Sequence, residues 1–305
     1  MKIWHYLIIR NSFLKKDLSK MKIKITSDTS CDMTPELIQK YNIGLLPIPV
    51  MLGEKEYRDG VDVTVADLYD YIDKTGQLPK TASYSPVEAE EFFRTQLATD
   101  GGYDAIVHFS LSSGISSICQ NAMIASGEFE NKVFVVDSLS LSTGVALQVI
   151  RASEMAKQGL TASKIFEEIM AARPLVQVSF VLDKLKMLYK GGRCSALALF
   201  GANLLNIKPS IIMKDGKLGV GKKFRGRYAE CVMGYVEDIL ANNPNFDKKR
   251  VFLTHTDTDP SIVEAVRKRL TSVFDEVLET TAGCTIACHC GKNTLGILFY
   301  NKPEK

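Results

Sequence analysis

The chain has 305 residues, of which 46% are hydrophobic and 24% are charged, and its formal net charge is +3. This length and composition are typical of a globular protein with two domains or one large α/β domain. The nearly balanced charge gives no reason to expect nucleic acid as a partner, and no apolar run in the sequence reaches the ~20 residues that cross a bilayer.

The first 20 residues do not have the order of a targeting signal. Apolar residues at positions 3–9 precede a basic run, whereas a signal peptide has its basic residues first. The second methionine, Met21, leads directly into the strand-like "MKIKITSD". We therefore expect residues 1–20 to be an N-terminal extension that is not native, or the result of a start codon assigned too early.

Strands and helices alternate in the first half of the chain. Short β-branched runs predict strands at 23–27, 44–51, 105–110 and 133–137. Three of the intervening helices follow typical N-cap residues, Thr34, Thr64 and Ser85. Two more helices are predicted at 115–126 and 141–157. The alternation predicts a parallel sheet with helices on both faces, and such a sheet binds ligands at the carboxyl ends of its strands.

The second half has a different pattern, in which hairpins are mixed with helices. Strands are predicted at 175–182, 207–213, 217–223, 250–254, 276–280, 285–290 and 295–300, and helices at 162–172, 227–240 and 261–270. The sequence "KDG" between two of these strands indicates a hairpin. We therefore predict an α/β domain at 21–170 and an α+β domain at 171–303.

Three motifs that resemble active or metal sites are incomplete. "GKLGVGKK", at 216–223, matches most of a P-loop but has Lys223 where a hydroxyl residue is needed. The GxSxG pentad of a serine hydrolase is missing from the sequence. "CTIACHC", at 284–290, is predicted as a strand with Cys288 and Cys290 on one face and His289 on the other, so no metal site is expected. Seven cysteines without regular spacing indicate reduced thiols in a cytoplasmic protein.

Hydroxyl groups are concentrated where the third strand ends, in "HFSLSSGISSICQNA" at 108–122. A helix beginning near Ile115 would present free backbone N–H groups, to which Ser112 and Ser113 add hydroxyl donors, and Gly114 would let an anion approach. This pattern predicts an anion site, and the alternative is that the serines only cap the helix. A second hydroxyl loop, "KTASYSP" at 80–86, is expected to face the same crevice.

Several segments, taken in order and with their spacing, resemble the DegV family, the fatty-acid-binding subunits of bacterial fatty acid kinase. They are "ITSDTSCDMT", "KTASYSP", "SLSSGISS", "LYKGGRCS", "NLLNIKPSI", "KDGKL", "KKFRGR" and "HCGKNTLG". The resemblance implies a protein that holds one long-chain fatty acid between its two domains and has no catalytic activity or cofactor of its own. It further implies that the carboxylate is presented to an ATP-dependent kinase, which makes an acyl phosphate for phospholipid synthesis, and it is compatible with transient contact with a membrane.

The resemblance also implies roles for individual residues. Thr81 corresponds to the threonine that contacts the carboxylate, and Ser113, or its neighbour Ser112, to a serine from the second loop. His289 matches a histidine near the head group. Two arginines match residues at the mouth of the site, where the kinase docks or the phosphate is steadied: Arg193 and Arg225.

The sequence departs from the family pattern in the loops that the resemblance places at the carboxylate. The family usually reads LSGT at 115–118 and TGPG at 290–293, and it often has a serine at the position of Ala82. The substituted positions are Ala82, Ser117, Ile118, Lys292 and Asn293. Two other functions stay open at this point, a serine-dependent hydrolase of the α/β class and a sensor of another amphiphilic ligand.

Overall fold

A computed structural model describes residues 21–195, residue 197 and residues 207–303, so the expected extension at 1–20 lies outside the described residues. The strands are β1 (Ile23–Asp28), β2 (Gly44–Leu46), β3 (Pro49–Leu52), β4 (Lys55–Arg58), β5 (Lys80–Thr81), β6 (Ala105–Ser110), β7 (Val133–Asp137), β8 (Val176–Leu182), β9 (Lys208–Lys214), β10 (Lys217–Phe224), β11 (Phe246–Thr256), β12 (Val277–Thr281) and β13 (Thr294–Asn301). The α-helices are α1 (Pro35–Tyr41), α2 (Val65–Thr75), α3 (Pro86–Ala98), α4 (Ile118–Ser126), α5 (Thr143–Lys157), α6 (Ala162–Ala172), α7 (Lys186–Gly191), α8 (Tyr228–Asn242), α9 (Pro260–Thr271) and α10 (Cys284–Cys290).

The first sheet contains four parallel strands in the order β2-β1-β6-β7. On one face, Phe93 of α3 packs against His108 of β6, with 5.0 Å between the ring centres. On the other face, Phe166 of α6 packs against Phe134 of β7, with the ring centres 6.0 Å apart. Phe134 is paired with Val107, and successive residues of a strand point to opposite faces. The predicted parallel sheet with helices on both faces is confirmed.

The prediction of one strand at 44–51 is wrong, because this segment forms two strands in different sheets. β2 belongs to the parallel sheet, whereas β3 is the centre of an antiparallel sheet with β4 and β5. Pro47 and Pro49 stand at the change, and proline has no N–H group to continue a ladder of hydrogen bonds. The chain therefore leaves the first sheet at Leu46. The short strands β4 and β5 were not predicted.

The second half of the chain forms a mixed sheet of six strands in the order β10-β9-β8-β13-β11-β12. β11 and β12 are parallel, and the other neighbours are antiparallel. The predicted hairpin is β9–β10, with Asp215 and Gly216 in its turn, both at positive φ. Helices α8 and α9 cover one face of this sheet with a core that includes Tyr235 and Val266. The predicted α+β architecture is confirmed, while the domain boundary at 170 and 171 stays a prediction.

Helix α5 lies between the two sheets. Its residues from Thr143 to Ile150 are all buried, as expected for a helix with apolar neighbours on every side. At Gly144 a Cβ atom would lie 2.7 Å from Val178 of β8, so the helix approaches the second sheet closely. The main hydrophobic core therefore contains residues of both halves. In the part of the chain that the structure describes, no helix is long and apolar enough to span a bilayer.

The prediction of a strand at 285–290 is wrong, because residues 284–290 form the helix α10. Alternating apolar residues over so short a stretch fit either period, and the surroundings determine the outcome. In the helix, Cys284 and Cys288 lie one turn apart and pack in one cluster with Val50 and Leu68 of the first half. Cys288 and Cys290 therefore do not share a face as they would in a strand.

Candidate functional site

Thr81 and His289 lie side by side although they are 208 positions apart in the chain. Thr81 ends β5, which is paired with β3 through Val50, and His289 lies in the last turn of α10. Thr81 Oγ1 and His289 Nε2 are 3.0 Å apart. The structure thus brings together the two residues that the resemblance assigned to the same head group.

The imidazole of His289 is neutral at pH 7. Burial, and after it the positive charge of Arg193, lowers the pKa of His289 to about 4. Its Nδ1 atom is buried with no hydrogen-bond partner among the described residues, and a Cβ atom at Gly191 would lie only 2.5 Å from it. The hydrogen bond between Thr81 and His289 fits either tautomer of the imidazole, and we assign the proton to Nε2, where Thr81 Oγ1 accepts it and Nδ1 is left as an unpaired acceptor. His289 then donates to Thr81 Oγ1, which leaves the Thr81 hydroxyl proton available to another acceptor.

Two cavities meet at this pair. An open cleft of about 550 Å³ and an inner cavity of about 60 Å³ are both lined by Thr81, His289 and Arg193. The inner cavity continues inward between apolar side chains from both halves of the chain, Ile48, Leu111, Ile115, Ile118 and Ile286. The site therefore changes from polar to apolar at Thr81 and His289.

The outer cleft is basic. Besides Arg193 it is lined by three lysines, Lys80, Lys186 and Lys190, all of which are exposed. Over the described ranges, none of these three lysines forms an ion pair with a carboxylate, and no acidic residue lines the cleft. Because the positive charges are not neutralised within the cleft, it favours anionic groups.

The two hydroxyl loops meet at the inner cavity. Ser83 Oγ and Ser117 Oγ are 2.8 Å apart, which places the loop at 80–86 beside the loop at 108–122 as expected. Ser83 and Ser116 both line the inner cavity. Ser116 could not be chosen from sequence among the five serines of the second loop, because the choice depends on where α4 begins. The helix begins at Ile118 and not near Ile115, so Ser116 lies in the preceding turn.

The three residues chosen from that loop by sequence are engaged elsewhere. Ser112 is buried and donates to the carbonyl oxygen of Gly216 at 2.7 Å, and a Cβ atom at Gly114 would lie 2.3 Å from the same oxygen. Ser113 donates its hydroxyl to Asp137 Oδ2 at 2.6 Å and its backbone N–H to Asp137 Oδ1 at 3.1 Å. The loop thus holds a carboxylate, but one that belongs to the chain itself. A contact of these residues with a ligand stays a prediction, and none of them lines either cavity.

The two arginines assigned to the mouth differ in position. Arg193 is exposed, lines both cavities together with Thr81 and His289, and donates to the carbonyl oxygen of Gly191 at 2.6 Å. Arg225 is also exposed, but it follows the end of β10 and lines neither cavity. The kinase-facing role of Arg225 stays a prediction.

Two aspartates, which the sequence analysis did not identify, fix the helix that carries His289. Asp59 accepts hydrogen bonds from the backbone N–H groups of Cys284 and Thr285, each at 2.9 Å, and from the Thr285 hydroxyl at 2.5 Å. Asp32 accepts from the N–H group of Gly283 at 2.8 Å. Both aspartates are buried and belong to the first half of the chain. They supply the N-terminal cap that Gly283 lacks, and so hold α10 against the first half.

Burial raises the pKa of two aspartates, one at the end of β1 and one shortly after it. It raises the pKa of Asp32 to about 8 and that of Asp28 to about 6, and the hydrogen bonds that the two carboxyl groups accept only partly oppose this effect. The described residues contain no group of three or more His, Cys, Asp or Glu side chains placed to hold a metal ion. Asp32 and Asp59 support the start of α10, whereas Asp28 accepts hydrogen bonds from Ser30 and Leu111.

Comparison with known proteins covers nearly the whole chain. The family model described as "Uncharacterised protein, DegV family" matches residues 22–302. A DegV domain-containing protein of Caldanaerobacter subterraneus subsp. tengcongensis is 31% identical over 286 residues, which are 92% of this chain and 99% of the relative. A fatty acid-binding protein of Thermotoga maritima is 28% identical over 284 residues, 90% of this chain and 96% of the relative.

Solved structures agree with this result. The structure described as "Fatty Acid Binding of a DegV family Protein from Thermus thermophilus" superposes with a TM-score of 0.83 at 26% identity, and the match covers 92% of this chain and all of that one. Fatty acid binding is thus described for members of the family that share this fold. Because the family model spans almost the entire sequence, the chain belongs to the DegV family.

Proposed function

We propose that this protein binds a long-chain fatty acid, with the carboxylate at Thr81, His289 and Arg193 and the hydrocarbon in the inner cavity. The observation that carries the proposal is that these three residues line both the basic cleft and the apolar cavity. A ligand that fits this boundary has an anionic head and a long apolar tail. The fatty acid binding described for its relatives supports the same ligand class.

The head group is held mainly by hydrogen bonds. A carboxylic acid titrates near ~4, so the ligand is ionised at pH 7 and needs donors when it is buried. The Thr81 hydroxyl supplies one because His289 donates to its oxygen, and the Arg193 guanidinium is exposed at the same place. An arrangement with one exposed cation beside neutral donors holds the carboxylate while leaving it accessible from the cleft.

The tail supplies most of the binding free energy. Each buried methylene group contributes about 0.8 kcal/mol, so a sixteen-carbon chain gains on the order of 10 kcal/mol before the cost of association. A small polar metabolite has no comparable gain from a cavity lined by Ile48, Leu111 and Ile286. This difference favours a fatty acid over a water-soluble carboxylate.

The geometry gives less support to a hydrolase. Thr81 and His289 are within hydrogen-bond distance, but the pKa of His289, at about 4, makes its imidazole a weak base. Within the described part of the chain, no carboxylate orients Nδ1 of His289, as the third member of a catalytic triad would. A non-catalytic binding role agrees better with these contacts.

We further propose that the bound carboxylate is presented to an ATP-dependent fatty acid kinase that docks at the outer cleft. Lys80, Lys186 and Lys190 surround the opening beside the head group. Their charges suit an acidic partner surface or the phosphates of a nucleotide brought by the partner. The acyl phosphate would then form at the mouth, where the carboxylate is accessible from the cleft.

The ligand is identified by extracting the purified protein with organic solvent and determining the extracted compounds by mass spectrometry. We expect fatty acids of roughly sixteen to eighteen carbons, near the tail length assumed above, and calorimetric binding of added palmitate or oleate. Recovery of another amphiphile would replace the fatty acid by that ligand. Recovery of no amphiphile, together with no binding of either added acid, would refute the proposal.

The docking role is tested with charge reversals that do not touch the inner cavity. Lys186→Glu and Lys190→Glu should lower fatty acid affinity less than they slow acyl phosphate formation by a fatty acid kinase that accepts the wild-type protein, because both lysines are exposed and line the cleft but not the inner cavity. Lys268→Glu, on the exposed surface of α9, makes the same change in charge away from the cleft. Equal rates for the wild type and all three variants would exclude docking at this surface.

A further inference from the structure

A second cavity lies beyond the inner one. It has a volume of about 20 Å³ and lies where the first half of the chain meets the second sheet, between Leu141, Phe180 and Leu298. Ile286 lines this cavity as well as the inner cavity at the head group. Its side chain is therefore the wall that the two cavities share.

The second cavity is apolar in effect although five hydroxyl residues line it. Each hydroxyl is bonded to another group of the chain: Ser142 to Asp32, Ser179 to Tyr235, Thr254 to Thr143, Thr256 to Gly291, and Thr294 to the carbonyl oxygen of Cys290. These five side chains consequently present carbon to the space. His255 also lines it, and of the lining residues described it alone has a buried side-chain polar atom, Nδ1, without a hydrogen-bond partner. A hydrocarbon end is the chemical group that fits such a lining.

The position of Ile286 on α10 links the two ends of the site. Ile286 and His289 are three residues apart, so they lie on the same face of the helix. The same helix face thus contacts the head group through one residue and the path of the tail through the other. Because Asp59 and Asp32 fix the start of α10, the fold determines where Ile286 lies relative to the head group at His289.

We propose that Ile286 determines the longest acyl chain that the protein binds tightly, by closing the passage from the inner cavity into the second cavity. This inference rests on the proposed fatty acid site. A chain that ends before Ile286 leaves this side chain in place, whereas a longer chain has to displace it to reach Leu141 and Leu298.

The test compares saturated acids of ten to twenty carbons bound by wild-type protein and variants, as an affinity series and as the acids recovered by mass spectrometry. Ile286→Ala removes three side-chain carbons and should move the optimum to chains about three carbons longer, because each accommodated methylene tightens binding about fourfold. Ile286→Val, which removes one, should move it by about one carbon and keeps the proposal testable if the alanine variant does not fold. Ile286→Phe should move the optimum to shorter chains.

Two further variants separate selection of chain length from loss of stability. Leu298→Ala enlarges the second cavity alone and should favour longer chains in the Ile286→Ala background. Leu68→Ala removes a fully buried side chain that packs in the cluster around Cys284 and Cys288 but lines neither cavity, so the order of affinities should stay that of the wild type. A chain-length profile that is unchanged in the Ile286 variants would overturn the inference. Failure of the wild type to bind any fatty acid would overturn the proposed function itself.

Discussion

Replacing Thr81 with valine tests the head-group site with little change in shape. The substitution removes the hydroxyl that lies 3.0 Å from His289 Nε2 and replaces it with a methyl group of similar size. The carboxylate then loses its neutral donor, and Nε2–H of His289 loses its acceptor. The tail contacts in the inner cavity are unchanged.

The expected loss of affinity follows from the charge of the ligand. A hydrogen bond to an ionised group is worth roughly 1.5–3 kcal/mol, which corresponds to a loss of about 10- to 150-fold in the dissociation constant. The loss should be the same for acids of different length, because the substituted group contacts only the head. Variants of Ile286, in contrast, should change the dependence on length.

The assay is calorimetric titration of Thr81→Val with palmitate and oleate, with the melting temperature as a check of folding. Ser113→Ala is the matched control, because the structure bonds Ser113 to Asp137 and not to the cavity. Ser116→Ala should lower affinity, because Ser116 lines the cavity. If Ser113→Ala weakened binding and Thr81→Val did not, the carboxylate would lie in the second loop and the reasoning from the cavity would be refuted.

Three other substitutions test the supports of the site. Gly114→Ala should lower the free energy of unfolding by about 1–3 kcal/mol in chemical denaturation, because its Cβ atom would lie 2.3 Å from the oxygen of Gly216. A neutral effect would mean that the loops containing Gly114 and Gly216 separate freely. Asp59→Ala should cost about 2–4 kcal/mol by the same measurement, because it leaves two buried N–H groups of α10 without an acceptor; a loss below about 0.5 kcal/mol would contradict its capping role. Burial raises the pKa of Asp32 from 3.8 to about 8. Between these values the folded state holds a proton that the unfolded state has lost. The free energy of unfolding should therefore fall on the order of 1 kcal/mol per pH unit as pH rises from 6 to 8. Asp32→Asn should flatten this slope, and an equally steep slope in the variant would assign it to another group.

The sequence predicted the elements whose pattern is long enough to be unambiguous. The strands near 23–27, 105–110 and 133–137 and the hairpin around "KDG" are present, because alternation, burial and turn residues all favour the same structure there. Helix α10 was wrongly predicted because its seven residues fit both periods and because its cap comes from Asp59, which lies 225 positions before Cys284 in the chain. No local pattern contains such a partner.

The site shows the same limit on a smaller scale. Residue type and the resemblance to the DegV family identified Thr81 and His289, which the structure brings together. The choice among the serines of the second loop depended on the start of α4, and a shift from Ile115 to Ile118 exchanges the residues that face the cavity. Sequence reasoning therefore identified a loop that lines the cavity but could not determine which of its hydroxyl groups does so.

The construction of α10 has a consequence for how binding and folding are coupled. The helix belongs to the second half of the chain, yet Asp32 and Asp59 of the first half cap its start, and Thr81 of the first half contacts its end. The head-group site consequently exists only while the two halves are docked. A ligand that binds the docked form alone stabilises it by about 2.7 kcal/mol at a concentration of one hundred times its dissociation constant. Under the proposed function, a bound fatty acid is part of what holds the halves together, and a partner that removes it has to work against that coupling.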